Sequence, residues 1–176
     1  MRVMERKTRG RVLNGYLDFI ENEWGASTRK VATAAIGIDS MDWSDGQYYQ
    51  DEIVDNILRW IRRNKGDDAV IKAGRSILHN LGILSWMVRF SDVVTLAKKF
   101  PKNFSEIYAF GSCEVQVPRP RHVKLILKDV VFYEERCMVW RGICEEALTI
   151  TKTKGKVLHP QCQLKGDGVC EFVLEF

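Results

Sequence analysis

Three residues with metal-binding side chains stand close together near the C-terminus: His159, Cys162 and Cys170, in the run HPQCQLKGDGVCEFVLEF. The Gly166-Asp167-Gly168 segment between the cysteines suits a tight reversal, because glycine tolerates the positive φ that short hairpin loops demand. Thiolate and imidazole both suit zinc, which takes four such ligands in a tetrahedron. His159 and Cys162 flank Pro160 and can turn onto one ion, while Cys170 returns on the partner strand. The fourth ligand falls to Cys137 or Cys144. On one helix their separation spans about 10 Å, whereas two sulfurs on one zinc each lie about 2.3 Å from it, so the helix supplies one of the two. Plainer readings of the same residues are a cross-strand disulfide, which a reducing cytosol opposes, and buried thiols packed as small hydrophobes.

The elements that must position these residues follow from periodicity. Val12, Leu13, Leu17, Ile20 and Trp24 recur at helical spacing over 11–24, and Gly25 ends the pattern. A short helix is expected within 27–37, a turn-rich stretch over 40–46, and an amphipathic helix over 47–63 through Ile53, Ile57, Trp60 and Ile61. Asp67 or Asp68 can cap a helix running to about Asn80 with Gly82 as its stop, and Ser91 can cap another that Pro101 terminates. The character then changes. Over 108–117 and 122–131, apolar and polar residues alternate with a period of two, which predicts a half-buried hairpin around Pro118–Arg121. A further helix over 133–151 and a final hairpin, 156–164 with 169–176, complete an α+β chain with an antiparallel sheet.

The chain has 176 residues, enough for one domain with a full core, so 1–176 is taken as one domain with 1–8 as a flexible tail. Hydrophobic residues make up 45% and charged residues 28%, an ordinary globular balance. No apolar run approaches the roughly 20 residues of a membrane span, and the basic start lacks the apolar core of a signal peptide. A cytoplasmic location is expected. The net charge of +4 is spread along the chain without a recognition motif, which excludes a nucleic-acid partner from the reading. Five cysteines, an odd count, favour thiols or a metal over a disulfide framework.

The C-terminal stretch resembles the 4-vinyl reductase domain, a small-molecule-binding module also found as the sensor of aromatic-responsive bacterial activators. The family is related in fold to haem-nitric-oxide-binding domains and to Bet3-type subunits of vesicle-tethering complexes. Its tail pattern is matched by His159, Cys162, Gly166-Asp167, Cys170 and Phe172, with His159 where the family often has Glu. Weaker matches are Arg9-Gly10, Phe19-Ile20-Glu21, Trp24-Gly25 and Ala73-Gly74-Arg75. In zinc-bearing members a cysteine stands five residues before a glycine, as Cys137 does before Gly142, which favours Cys137 as the fourth ligand. The resemblance implies N-terminal helices followed by antiparallel hairpins around a helix, in a fold like the NO-signalling and Golgi-transport ligand-binding domains.

The expected function is therefore a small-molecule sensor for a hydrophobic or tetrapyrrole-like ligand. A structural zinc on Cys137, His159, Cys162 and Cys170 accompanies it, and the signal passes through a homodimer or a protein partner. Alternatives are a dimeric interaction scaffold of Bet3 type and an enzyme of tetrapyrrole metabolism. Trp86, Phe90, Phe110 and Trp140 are candidates to line an apolar ligand pocket, against the plainer reading that each is core. Haem is disfavoured: His79 is on a helix, but the Tyr-x-Ser-x-Arg propionate signature of haem sensors is absent. Glu134, Glu135, Glu145 and Glu146 read as solvated surface. No nucleophile triad, phosphate loop or dinucleotide fingerprint is present.

Overall fold

The computed structural model describes residues 5–38, 43–80 and 92–176. In chain order these form β1 (Lys7–Arg9), α1 (Gly10–Trp24), α2 (Ala26–Ala35), β2 (Tyr48–Gln50), α3 (Glu52–Lys65), α4 (Asp67–Asn80) and α5 (Val93–Ile107). Next come β3 (Ser112–Arg119), β4 (His122–Lys128), α6 (Glu134–Ile150), β5 (Lys156–Gln161) and β6 (Cys170–Glu175). The expected α+β order of helices, hairpin, helix and hairpin is what the chain adopts.

The helical half is built on apolar stripes. In α1, Val12, Leu13, Tyr16, Leu17, Phe19 and Ile20 are buried, and Gly25 ends the helix at φ 88° with its amide on the Glu21 carbonyl. In α3 the buried face carries Val54, Ile57, Leu58 and Ile61. Three local expectations are corrected. Residues 48–50, placed in a helix by periodicity, pair instead with β1 as a two-stranded ladder, Thr8 opposite Tyr49. Lys7 and Thr8, placed in a flexible tail, belong to that ladder, and Thr8 is fully buried. Helix α5 does not stop at Pro101. It continues to Ile107 because Leu96, Phe100, Phe104 and Ile107 share one buried face, and that burial outweighs the backbone bond the proline removes. Its N-cap is Asp92, which accepts the Thr95 amide at 2.9 Å; Ser91 and Gly82 lie outside the described residues.

The main sheet is antiparallel in the order β3-β4-β6-β5. Register puts Val123, Leu125 and Leu127 of β4 opposite Leu174, Phe172 and Cys170 of β6. All six are buried, so this face of the sheet is core, packed against α5 and α6.

Helix α6 joins the two halves. It crosses α4 at backbone contact: a Cβ on Gly74 would collide with the Val139 carbonyl, and one on Gly142 with the Ile71 carbonyl. Its first turn is anchored by Arg136, whose side chain is 2% exposed. Nε of Arg136 donates to Asp55 Oδ1 at 2.6 Å, and Nη2 to Asp51 Oδ2 at 2.8 Å. Burial works against the charge on Arg136, but Asp51 and Asp55 more than offset it and hold its pKa above the ordinary arginine value. Gly142→Ala should destabilise the protein by about 1–3 kcal/mol through overpacking. Arg136→Met, which leaves two buried carboxylates without their main partner, should cost about 3–5 kcal/mol. Urea unfolding followed by circular dichroism measures both, and a loss under 0.5 kcal/mol in either would contradict this account of α6.

Candidate metal centre

The final hairpin brings its three soft side chains to one point by irregularity as much as by regular pairing. Strand β5 follows β6 in register from Lys156 to Leu158, then slips before Gln161. His159 and Pro160 occupy the slip, and such a bulge re-aims a side chain. Pro160 lies on an edge strand, where its missing N–H removes no ladder bond. The His159 ring stacks on Phe172 with centroids 4.2 Å apart and planes 8° from parallel.

Past β5 the loop is held by its own polar atoms. Asp167 Oδ2 accepts the Cys162 amide at 2.7 Å, and the amides of Lys165 and Asp167 both bond the Cys162 carbonyl. Gly166 takes the left-handed conformation at φ 96°, which a side chain would strain. The Gln163 amide points at the Cys170 sulfur, 3.2 Å away.

Cys137, in the first turn of α6, completes the group. Ligand atoms of Cys137, His159, Cys162 and Cys170 all lie within 4.8 Å of one another. The Cys137 and Cys162 sulfurs are 3.6 Å apart, far beyond a disulfide bond and close to the roughly 3.8 Å edge of a tetrahedron with metal–sulfur bonds of about 2.3 Å. Nε2 of His159 is buried without a hydrogen-bond partner, a cost that a ligand interaction would relieve. All five cysteines of the chain are free thiols. Cys144 is elsewhere, buried among apolar residues, and burial pushes its pKa up. Cys113 on β3 is pushed up to about 12 for the same reason.

The electrostatics of the group suit a cation. Hydrogen bonding from Cys137 holds the Cys170 pKa down at about 5, against burial, with further help from the Gln163 amide and Cys162. Cys137 moves in the opposite direction, because its proton is engaged by Cys170 and because it is partly buried. The thiolate is the form of cysteine that binds metal, and the lowered Cys170 pKa favours it.

The residues proposed for an apolar pocket divide differently. Trp86 and Phe90 lie outside the described residues. Phe110 and Trp140 are buried and packed with other rings: Trp140 with Phe100, Phe104 and Tyr108, and Phe110 with Tyr108 and Phe132. Neither lines the apolar cavity of about 20 Å³ between α5, α6 and the sheet, whose walls include Leu96, Phe100, Leu125, Ile143, Cys144 and Leu174. That volume suits about one water-sized molecule. His79 is half exposed, with Nε2 2.7 Å from Glu146, and His122 on β4 lies 3.7 Å from Glu175. Glu135 and Glu145, read as solvated surface, are instead mostly buried and paired with arginines: Glu135 with Arg62, Glu145 with Arg75 and Arg141.

Sequence reasoning missed the Arg136–Asp51–Asp55 group. One signal was available: Asp55 falls on the apolar face of α3, where a carboxylate needs a buried partner. No helix among the described residues is long and apolar enough to cross a membrane.

No protein-family model matches the chain, and no curated protein sequence does. Solved structures match over nearly the whole length. An H-NOX protein from S. oneidensis in the Fe(II)NO ligation state aligns with a TM-score of 0.78 at 16% identity, covering 95% of this chain and 98% of that one. An oxygen-binding H-NOX domain related to soluble guanylate cyclases, in its oxygen complex, gives 0.73 at 10% identity over 96% and 94%. A structure from work on heme distortion in the H-NOX family gives 0.74 at 9% identity over 96% and 94%. These findings overturn two expectations. The resemblance to the 4-vinyl reductase domain does not stand, since no family model matches and the solved structures matched are H-NOX domains. The expectation against haem does not stand either, because the structures matched include iron- and heme-bearing domains. The chain has the fold of the H-NOX domains.

Proposed function

We propose that this is a small-molecule sensor domain of H-NOX-like fold whose C-terminal hairpin is clasped to α6 by a structural zinc. The convergence of Cys137, His159, Cys162 and Cys170 within 4.8 Å is the observation that carries the zinc. Three thiolates and an imidazole are a soft donor set that zinc accepts in a tetrahedron. With four protein ligands the centre keeps no position for water or substrate, so its role is structural. It ties the end of β5, the start of β6 and the first turn of α6 into one unit.

The sensing half of the reading is supported by the fold. The matched domains are described with nitric oxide on iron, with oxygen, and with heme, so haem is the first ligand to offer this chain. Haem supplies an iron that binds diatomic gases; the protein supplies an axial ligand and an apolar pocket. His159 belongs to the thiol group, His79 is held at the surface by Glu146, and the cavity beside Cys144 holds about 20 Å³. The signal passes to a partner protein or a second copy of the chain, and the domain is one unit over 1–176.

Metal analysis of purified protein is expected to give one zinc per chain. Cys170→Ser and Cys137→Ala should lose it and melt at lower temperature, since structural zinc contributes folding free energy, while Cys144→Ala keeps it. Retention of zinc in Cys170→Ser would remove the site. Native mass spectrometry is expected to show one small-molecule adduct beside the zinc. A Soret band on haem titration identifies that adduct as haem, and a protein that carries zinc yet takes up no ligand overturns the sensor reading.

A further inference from the structure

We infer that Arg136 is a positioning residue for the clasp: its buried fork on Asp51 and Asp55 sets where α6 presents the Cys137 sulfur to the hairpin. The inference rests on the metal reading above. Three of the four donors belong to one hairpin, whose geometry is fixed locally by Asp167 on the Cys162 amide and by the Gln163 amide on the Cys170 sulfur. Cys137 comes from another element. It lies in the first turn of α6, where helical N–H groups lack intrahelical partners and fraying is easiest. Tyr133 at the N-cap adds no side-chain hydrogen bond to that turn.

What holds the turn is the residue beside Cys137. Arg136 reaches back to the helical half, bonding Asp55 Oδ1 at 2.6 Å, Asp51 Oδ2 at 2.8 Å and the Asp51 carbonyl at 3.3 Å. Asp51 is itself tied to the N-terminal strand, its amide on the Arg6 carbonyl, and Arg6 Nη1 lies 3.4 Å from Asp55 Oδ2. Arg62 bonds Glu134 and Glu135 on the same turn, but with its side chain 30% exposed it is a weaker constraint. A planar guanidinium fork fixes orientation as well as distance, which an ammonium does not. The clasp is thus registered against α3 and β1, elements that carry none of its ligands. Outer partners of this kind typically account for ten- to hundredfold in metal affinity.

The test uses the full chain loaded with one equivalent of zinc or cobalt(II). Competition with a chromophoric chelator reads zinc affinity, and the thiolate–cobalt charge-transfer band reads the geometry around the ion. Arg136→Lys and Asp55→Asn are each expected to weaken zinc about 10–100-fold and to shift the cobalt band. Arg141→Gln, an exposed arginine further along α6, should change neither. Unchanged affinity and spectrum in folded Arg136→Lys and Asp55→Asn would overturn the positioning role and leave the clasp standing. A wild-type chain that binds no zinc removes the metal reading itself. Should both variants fail to fold, hydrogen exchange on the wild type decides, because coupling between two sites is reciprocal. Stripping zinc is then expected to speed exchange at the amides of 6–9 and 51–58, and unchanged exchange there overturns the inference.

Discussion

The fold depends on how closely α6 can approach α4. Gly74 and Gly142 let the two helix backbones touch, and neither position has room for a single added carbon. That contact places α6 so that Val139, Trp140, Ile143 and Leu148 are buried, between the helical half and the sheet. A close-packed interior transmits such a constraint, because it has few voids to absorb a shift. The sheet packs on the face of α6 that the glycines leave available, and His159, Cys162 and Cys170 of the hairpin are set near Cys137 in its first turn.

Close approach alone leaves α6 free to slide along or rotate about its axis, since glycine contacts are smooth. The buried Arg136 removes that freedom. Its net stabilisation is modest once desolvation is counted, as for buried ion pairs generally. What it contributes is direction: one guanidinium orientation satisfies Asp51 and Asp55 together. Cys137 sits one residue further on, so helix packing and ion pairing both act on the turn that carries it.

Legibility from sequence followed the range of the forces involved. The hairpin with His159, Cys162 and Cys170 was readable because its ligands and its turn are local, and Gly166 does occupy the left-handed region. Cys137 could not be chosen over Cys144 from spacing, since the decision lies in which face of α6 meets the hairpin. Pro101 misled because a local rule about proline was outweighed by burial of Phe104 and Ile107, a tertiary fact. Residues 48–50 misled because their partner strand lies some forty positions earlier. The pairing of Arg136 with Asp51 and Asp55 spans 81 and 85 residues of chain, and no local pattern announces it.

The Cys137–His159–Cys162–Cys170 group and the small apolar cavity occupy different parts of the molecule. The thiol group lies where β5, β6 and the first turn of α6 meet, whereas the small apolar cavity lies between α5, the middle of α6 and the sheet. Both rest on the same inner sheet face: Leu125 and Leu174 line the cavity, and Phe172, opposite Leu125, stacks on His159. A ligand that pushed α5 outward would act on β4 and β6, and through Phe172 on the ring of His159. A displacement at either place is passed to the other because a close-packed sheet face has few voids to absorb it.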